Sequence, residues 1–564
     1  MVFRSIIKIV LLFLTAGFSS CSSRLVVFPV RGTGIELEGM SKKAVLGILD
    51  EAGPKKLEYR FASPPVFPLN TSMEIEYSFS NIPSVDNSMN FILEAEGNSW
   101  VLPYSNENII FHYSVPVKEN FAQNFSIGLS EIPLEIPLDD KKSFPALQIH
   151  SINFKESWFG YNRIKDEINE RVFTSAFVTY NAAAASGGNT FEIDLHEIIS
   201  LRGGSPVFRA DLKPGKNALV NTESYVFEAL PFLTQFNIPY PMILPKNKKI
   251  FLSGDRFASF RIGFDGGPAF PSPIRADPGL VLFWPLNQWR DARYEVFKWD
   301  NFPSLLIFDF RDYAVQDRML KRLAFFVEKA GFKGRLAPDR EIASLHGWNA
   351  HDYKASDLAR FFQLAQEQNF PLLNEERELM QILINDGIIR MSPNGVIQAG
   401  EGGIISISRE SPGYLRSRFM AHEGFHGLYF IDEDFRNFCR SRWQQLGAEA
   451  KRFLMSYFQY YQLGIGDGSG SYPDGDYILY NEFMAYILQL PVSQVGSYFG
   501  FTLPSRIENN PRRQSDLPAK DTRTNSWPLL ASAFTREAEA LSAYVEKRWG
   551  LAGGRVHLVV VKIY

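Results

Sequence analysis

The residues best placed to do chemistry are His422-Glu423-Gly424-Phe425-His426. Two His at i and i+4 sit one turn apart on a single helical face, so both imidazoles can reach one tetrahedral ion. Glu423, next to the first His, projects beside the metal and is placed to take a proton from water there. His is scarce, eight residues in all, so an H-E-x-x-H window is a specific signal here rather than a product of composition. A catalytic site of this kind takes a third protein ligand and keeps one position open. Glu433 and Glu449 follow the motif as two choices for that ligand.

A helix must carry the pair, and the sequence supplies one. Ser411 is a good N-cap and Pro412 suits the first helical position. Leu415, Phe419, His422, His426 and Tyr429 share one face, so the ligands are expected in an apolar stripe facing the interior. Gly424 and Gly427 each cost a helix about 1 kcal/mol relative to Ala, which points to close packing against another element. The strand Ile404-Ile405-Ser406-Ile407-Ser408 leads into this helix. Upstream, the apolar run 304–310 reads as a buried strand. Val315, Met319, Leu323, Phe326 and Val327 recur at helical spacing, with Gly331 as the stop. Ser356 opens a second helix, and Leu379, Ile382 and Leu383 mark a third ended by Gly387. Ser392-Pro393-Asn394-Gly395 is a hairpin turn signal. Leu529 to Trp549 reads as an amphipathic helix and Val556 to Ile563 as a final strand.

Downstream stands Tyr480-Asn481-Glu482-Phe483-Met484-Ala485-Tyr486. Asn-Glu with a small residue three positions later resembles the second zinc helix of the gluzincin peptidases, the thermolysin-like clan. The resemblance implies Zn2+ held by His422, His426 and Glu482, Glu423 as general base, and a peptide or protein substrate. It also makes the strand at 404–408 an edge strand on which an extended peptide would lie. Two departures stand out. The position of the clan's supporting Asp is Tyr486 here, and no third His of the metzincin type follows the motif. The resemblance covers residues 400 to 490 by motif, and 300 to 564 by α/β pattern only. Tyr486, Tyr480 and His346 are the choices for an oxyanion stabiliser. The segment 346–353, which also holds His351, reads otherwise as a structural loop. The Gly/Asp-rich stretch 464–476 reads as a connector, a lid, or a calcium loop through Asp467, Asp474 and Asp476.

The chain has 564 residues, more than the ~250–300 at which single cores stop growing, so several domains are expected. Arg4, Lys8 and a short apolar run make residues 1–21 a targeting segment. Its end, Ala16-Gly17-Phe18-Ser19-Ser20-Cys21, resembles the lipobox of bacterial lipoproteins. That implies lipidation at Cys21, a membrane tether and a place in the cell envelope, on its periplasmic face or the outer membrane. The other cysteine, Cys439, then has no disulfide partner. Residues 22–155 read as a β-sandwich, jelly-roll-like module, since short strand patterns alternate with Pro, Asn, Ser and Gly clusters. The stretch Ala146 to Phe154 resembles the closing strand of such modules, which often bind carbohydrate, so a glycan is one partner to weigh. Residues 156–279 read as a second β-rich region ending in a Gly/Pro linker from 265. Residues 280–564 read as an α+β, zincin-like domain. Net charge is −3 with pI near 6.3, and no basic patch with interleaved aromatics occurs, so no nucleic-acid partner is expected. The expected activity is hydrolysis of peptide bonds by an envelope zinc metallopeptidase. Its rivals are a glycan- or protein-binding surface lipoprotein with a structural or inactive zinc domain, and hydrolysis of a non-peptide amide.

Overall fold

The computed structural model describes residues 25–29, 35–36, 56–61, 71–80, 91–95, 97–104, 109–117, 124–129, 146–156, 159–165, 170–181, 190–195, 206–216, 218–239, 242, 249–264, 268–466 and 473–563. The targeting segment and Cys21 lie outside them. Two compact units divide the chain. One comprises Met1–Lys213, Val220–Glu223 and Ile243–Gly266; the other comprises Pro214–Leu219, Ser224–Met242 and Gly267–Tyr564. No helix among the described residues is long and apolar enough to cross a membrane.

The first unit is built from β-sheets. One antiparallel sheet runs Ile35–Glu36, Leu25–Pro29, Lys56–Phe61, Asn124–Leu129, Phe91–Ala95, Asn98–Leu102. A second contains Pro206–Leu212, Phe257–Phe264, Phe159–Lys165, Glu170–Ser175, Ile109–Pro116, Thr71–Ser80 and Ala146–Glu156, in that order. Their facing sides meet through aromatic rings. Phe61 packs edge-on to Phe154 at 5.3 Å and Phe79 lies 4.7 Å from Phe91. The alternation in Thr71–Ser80 explains the burial: Met73, Ile75, Tyr77 and Phe79 point inward. Strands on both sides of residue 155 belong to this second sheet, so a boundary there falls within one sheet.

The second unit is rich in helix around a five-stranded sheet with the order Ile274–Ala276, Tyr294–Trp299, Leu305–Phe310, Gly403–Ser408, His351–Lys354. Leu305–Phe310 and Gly403–Ser408 are parallel and wholly buried, as their apolar runs require. His351–Lys354 closes the sheet antiparallel to Gly403–Ser408. Successive residues face opposite sides. Leu306, Phe308, Phe310, Tyr353 and Ile404 join one core with the helices Tyr313–Val327, Ala355–Glu367 and Asn374–Asn385. Leu305, Asp309 and Ile405 face the other way, towards the helix Gly413–Ile431 that carries the His pair.

Several expectations change. The strand at 404–408 is not an edge strand, because it is paired on both sides; the edge is His351–Lys354. The motif helix begins at Gly413 with Pro412 as N-cap, and the Ser411 hydroxyl bonds the Tyr313 hydroxyl instead at 2.7 Å. Leu415 and Phe419 are half-buried, whereas from Met420 onward nearly every residue is buried. The expected linker 265–279 holds the strand Ile274–Ala276 and the cap of a helix at Pro278–Phe283. The cause is Asp277, which is buried and accepts from the amides of Gly279, Leu558 and Val559.

The motif helix is pinned to the sheet by a buried ion pair. Arg416 gives two hydrogen bonds to Asp309, at 2.8 and 3.0 Å, and Arg409 adds a third at 2.7 Å. Removing one partner of such a pair leaves an uncompensated buried charge, worth about 3–5 kcal/mol. Asp309→Ala, which strands two guanidinium groups, is therefore expected to lower the urea midpoint of the second unit, followed by tryptophan fluorescence, more than Arg416→Met. Equal midpoints for both variants and the wild type would show that the pair does not anchor the helix.

Candidate metal centre

His422 and His426 project from the buried half of Gly413–Ile431, with ring centroids 4.6 Å apart. Two glycines let that half press into the unit. A Cβ on Gly424 would lie 2.9 Å from Val556 Cγ2, and one on Gly427 would lie 2.9 Å from Leu305 Cδ1. The helix thus sits against the sheet on one side and the segment before the final strand on the other. No larger residue fits either place without displacing a neighbour.

The helix Pro473–Leu488 delivers Glu482 to the same point. Glu482 Oε2 stands 3.8 Å from His422 Nε2, and Oε1 stands 3.9 Å from His426 Nε2. Ligand atoms of His422, His426 and Glu482 all fall within 4.8 Å of one another. Glu433 and Glu449 are exposed in the first turns of neighbouring helices and are in no such cluster.

The third element is the edge strand. Its alternation buries His351 and Tyr353 in the sheet core and turns Asp352 towards the His pair. Asp352 Oδ2 lies 3.7 Å from His426 Nδ1 and accepts from Asn481 Nδ2 at 3.5 Å. Asp352, Glu423 and His426 form a second group of ligand atoms within 4.8 Å. Glu328, at the C-cap of Tyr313–Val327, adds a further buried carboxyl. It lines a cleft of about 70 Å³ with Asp352, Lys354, Asn481 and Glu482.

The electrostatics of this group are compatible with a bound cation. Burial pulls both imidazoles down, His426 to about 4, so they are neutral and offer lone pairs. At His422 the neighbouring His426 deepens the drop, while the Ala485 carbonyl and the Gln489 side chain oppose it. Burial pushes Glu423, Glu482 and Asp352 well above the usual carboxylate range, and mutual repulsion and the field of Glu328 push further. Glu328 itself is pushed up to about 8, again by burial first. Both ring nitrogens of His426 and Nδ1 of His422 are buried with no partner in full hydrogen-bonding geometry among the described residues, although Asn481 lies beside His426 and the Ala485 carbonyl and Gln489 lie beside His422. Two neutral imidazoles facing a carboxyl could hold a divalent cation. The donor set, two imidazoles and a carboxylate, suits zinc.

The other sequence-derived residues fall as follows. Tyr486 packs edge-on to the His422 ring at 5.2 Å. Tyr480 turns to the opposite side of its helix, against Trp443 at 6.2 Å. His346 is exposed in the turn before the edge strand and belongs to neither ligand group. His351 is fixed by Ser406 at 2.9 Å and Gln316 at 3.1 Å, and burial lowers it to about 3; it is a structural residue. Asp467 lies outside the described residues, and Asp476 is buried against Gly466. Cys439 is free and buried. Asp352 and Glu328 are the site residues that sequence reasoning missed. The only signal was the alternation His351-Asp352-Tyr353-Lys354 beside two His.

No family model matches the chain, and no curated protein matches it.

The protonation pattern has a measurable consequence. Burial favours the protonated form of the carboxyls in the metal-free site and the neutral form of its imidazoles. Zinc binding must then release protons from carboxyls. Calorimetric titration with Zn2+ in buffers of different ionisation enthalpy is expected to give heats that scale with buffer enthalpy, in the direction of release. Heats independent of the buffer would contradict this charge state.

Proposed function

We propose that the chain is a zinc metallopeptidase of the cell envelope, tethered by lipid at Cys21, whose second unit is a zincin-like catalytic domain. The observation that carries this reading is the convergence of His422, His426 and Glu482 from two separate helices, with Glu423 buried beside them. His422 and His426 would hold the ion through Nε2, the nitrogens that face Glu482. When bound, zinc acts as a Lewis acid and brings the pKa of its water to near ~7.

Glu423 supplies the proton traffic. Its carboxyl takes a proton from the attacking water and later delivers it to the leaving amine. Burial raises its affinity for a proton, which strengthens it as the base that takes one from water. The substrate would add as an extended strand to His351–Lys354, the outermost strand of the sheet, through backbone hydrogen bonds. The cleft beside Glu482 would take a neighbouring side chain, between the carboxyls of Glu328 and Asp352 and the amine of Lys354.

The test is the purified protein without its targeting segment, analysed for metal and offered a peptide library. Zinc near one per chain and cleavage reduced about 10²–10⁴-fold in Glu423→Gln, with zinc retained, is the expected result. Protein that takes up no zinc sinks the proposal. Zinc without cleavage favours a binding lipoprotein with a structural metal.

A further inference from the structure

The motif's immediate neighbours leave one requirement unmet. An imidazole that ligates a metal through one nitrogen needs a partner for the other, to fix its tautomer and its ring plane. Tyr486, which stands where the resemblance would place a supporting carboxylate, packs its ring edge-on to His422 and offers no carboxylate to either His. His426 is fully buried, and its Nδ1 has no partner in full hydrogen-bonding geometry among the described residues, the Asn481 side chain being the other polar group beside the ring.

We propose that Asp352, from the edge strand, is the positioning carboxylate of this centre: it holds His426 with Nδ1 protonated and so turns the Nε2 lone pair to the metal. This rests on the reading of the cluster as a zinc site. Three observations support it independently of the motif. Asp352 Oδ2 is 3.7 Å from His426 Nδ1, on the side of the ring away from the contact between Nε2 and Glu482. The same oxygen accepts from Asn481, the residue before Glu482, so one carboxylate touches the neighbourhoods of two ligands. Its backbone is held in register opposite Ile405, whose side chain lies against Gly427 of the motif helix. Asp352 is therefore fixed by sheet pairing and not by the helices that carry the ligands. The proposed substrate strand and the support of His426 then share one element, with Asp352 flanked by the two residues that pair with Ser406 and Ile404.

Zinc affinity, measured by competition with a chromophoric chelator, reads this role without recourse to activity. Asp352→Ala is expected to weaken binding about 10–100-fold, and Asp352→Asn by less, since its amide oxygen can still accept from Nδ1–H. The visible absorption of the Co2+-loaded protein should shift in Asp352→Ala and move back towards wild type in Asp352→Asn. Circular dichroism of the metal-free variants checks that both fold. Wild-type affinity in folded Asp352→Ala overturns the proposal. So does a loss as deep as that of His426→Ala, which would make Asp352 a ligand itself. Wild-type protein that binds no zinc overturns the zinc reading as well, and is thereby distinguished from failure of this inference alone.

Discussion

Burying Glu423, Glu482, Asp352 and Glu328 in one another's field, with only neutral imidazoles between them, costs the folded chain a great deal unless something positive enters. Lys329 stands next to Glu328, but its own burial lowers it to about 8, and its ammonium lies over the Trp348 ring at 3.1 Å. Protons can neutralise the carboxyls one at a time. A dication neutralises two at once and gives the imidazole nitrogens a partner as well. The surrounding architecture follows from that constraint. A site of this charge must be built on elements that do not yield, because each ångström of relaxation admits water and loses the grouping.

The means of rigidity are visible on every side. The motif helix cannot slide along the sheet, since Arg416 is locked to Asp309 and Arg409 ties the same carboxylate to the Trp284 carbonyl. It sits close against its neighbours, since a Cβ at Gly424 or Gly427 would crowd Val556 or Leu305. The Glu482 helix is held by Phe483 against Trp443 at 5.3 Å. The edge strand is held by His351, whose neutral ring bonds Ser406 and Gln316 on the core side while Asp352 faces the site. One strand thus spends alternate residues on structure and on the centre, a division that only the two-residue period of a strand allows.

This division also marks where the sequence was legible. The His pair, Glu423 and the helices around them were readable because helical periodicity and stop signals are local: Gly331 and Gly387 take the positive φ expected of them, +83° and +78°. Glu482 needed the resemblance, since nothing in its spacing from His426 singles it out from Glu433 or Glu449. Asp352 showed only in the alternation of its strand beside two His, and Glu328 not at all. They reach the site through strand pairing and helix packing, neither of which leaves a pattern along the chain. The edge-strand assignment failed for a reason that could have been seen. Ile404 to Ser408 has too little polar alternation for an edge, and its continuous burial is the signature of a strand paired on both sides. Likewise, Gly and Pro at 265–279 suggested a linker, while the decisive residue was Asp277, whose partners lie at the far end of the chain.

A catalytic and a structural metal differ in their need for Glu423, which neither His nor Glu482 requires. A structural zinc site is closed by four protein ligands and gains nothing from an extra carboxyl. Glu423 is as buried as the ligands, is raised by Glu482 and Glu328, and lies within reach of His426 and Asp352. As a mere neighbour it lowers stability, since a Gln or Leu there would remove a like charge from a crowded site at little cost in volume. A group kept at a position where it strains the fold belongs with the functional exceptions to local consistency, not with the packing. Under the zinc reading, His422, His426 and Glu482 would be the three protein ligands of an open site, with Glu423 beside them as the uncoordinated carboxyl. The sheet edge that would present that substrate is the same strand that supplies Asp352.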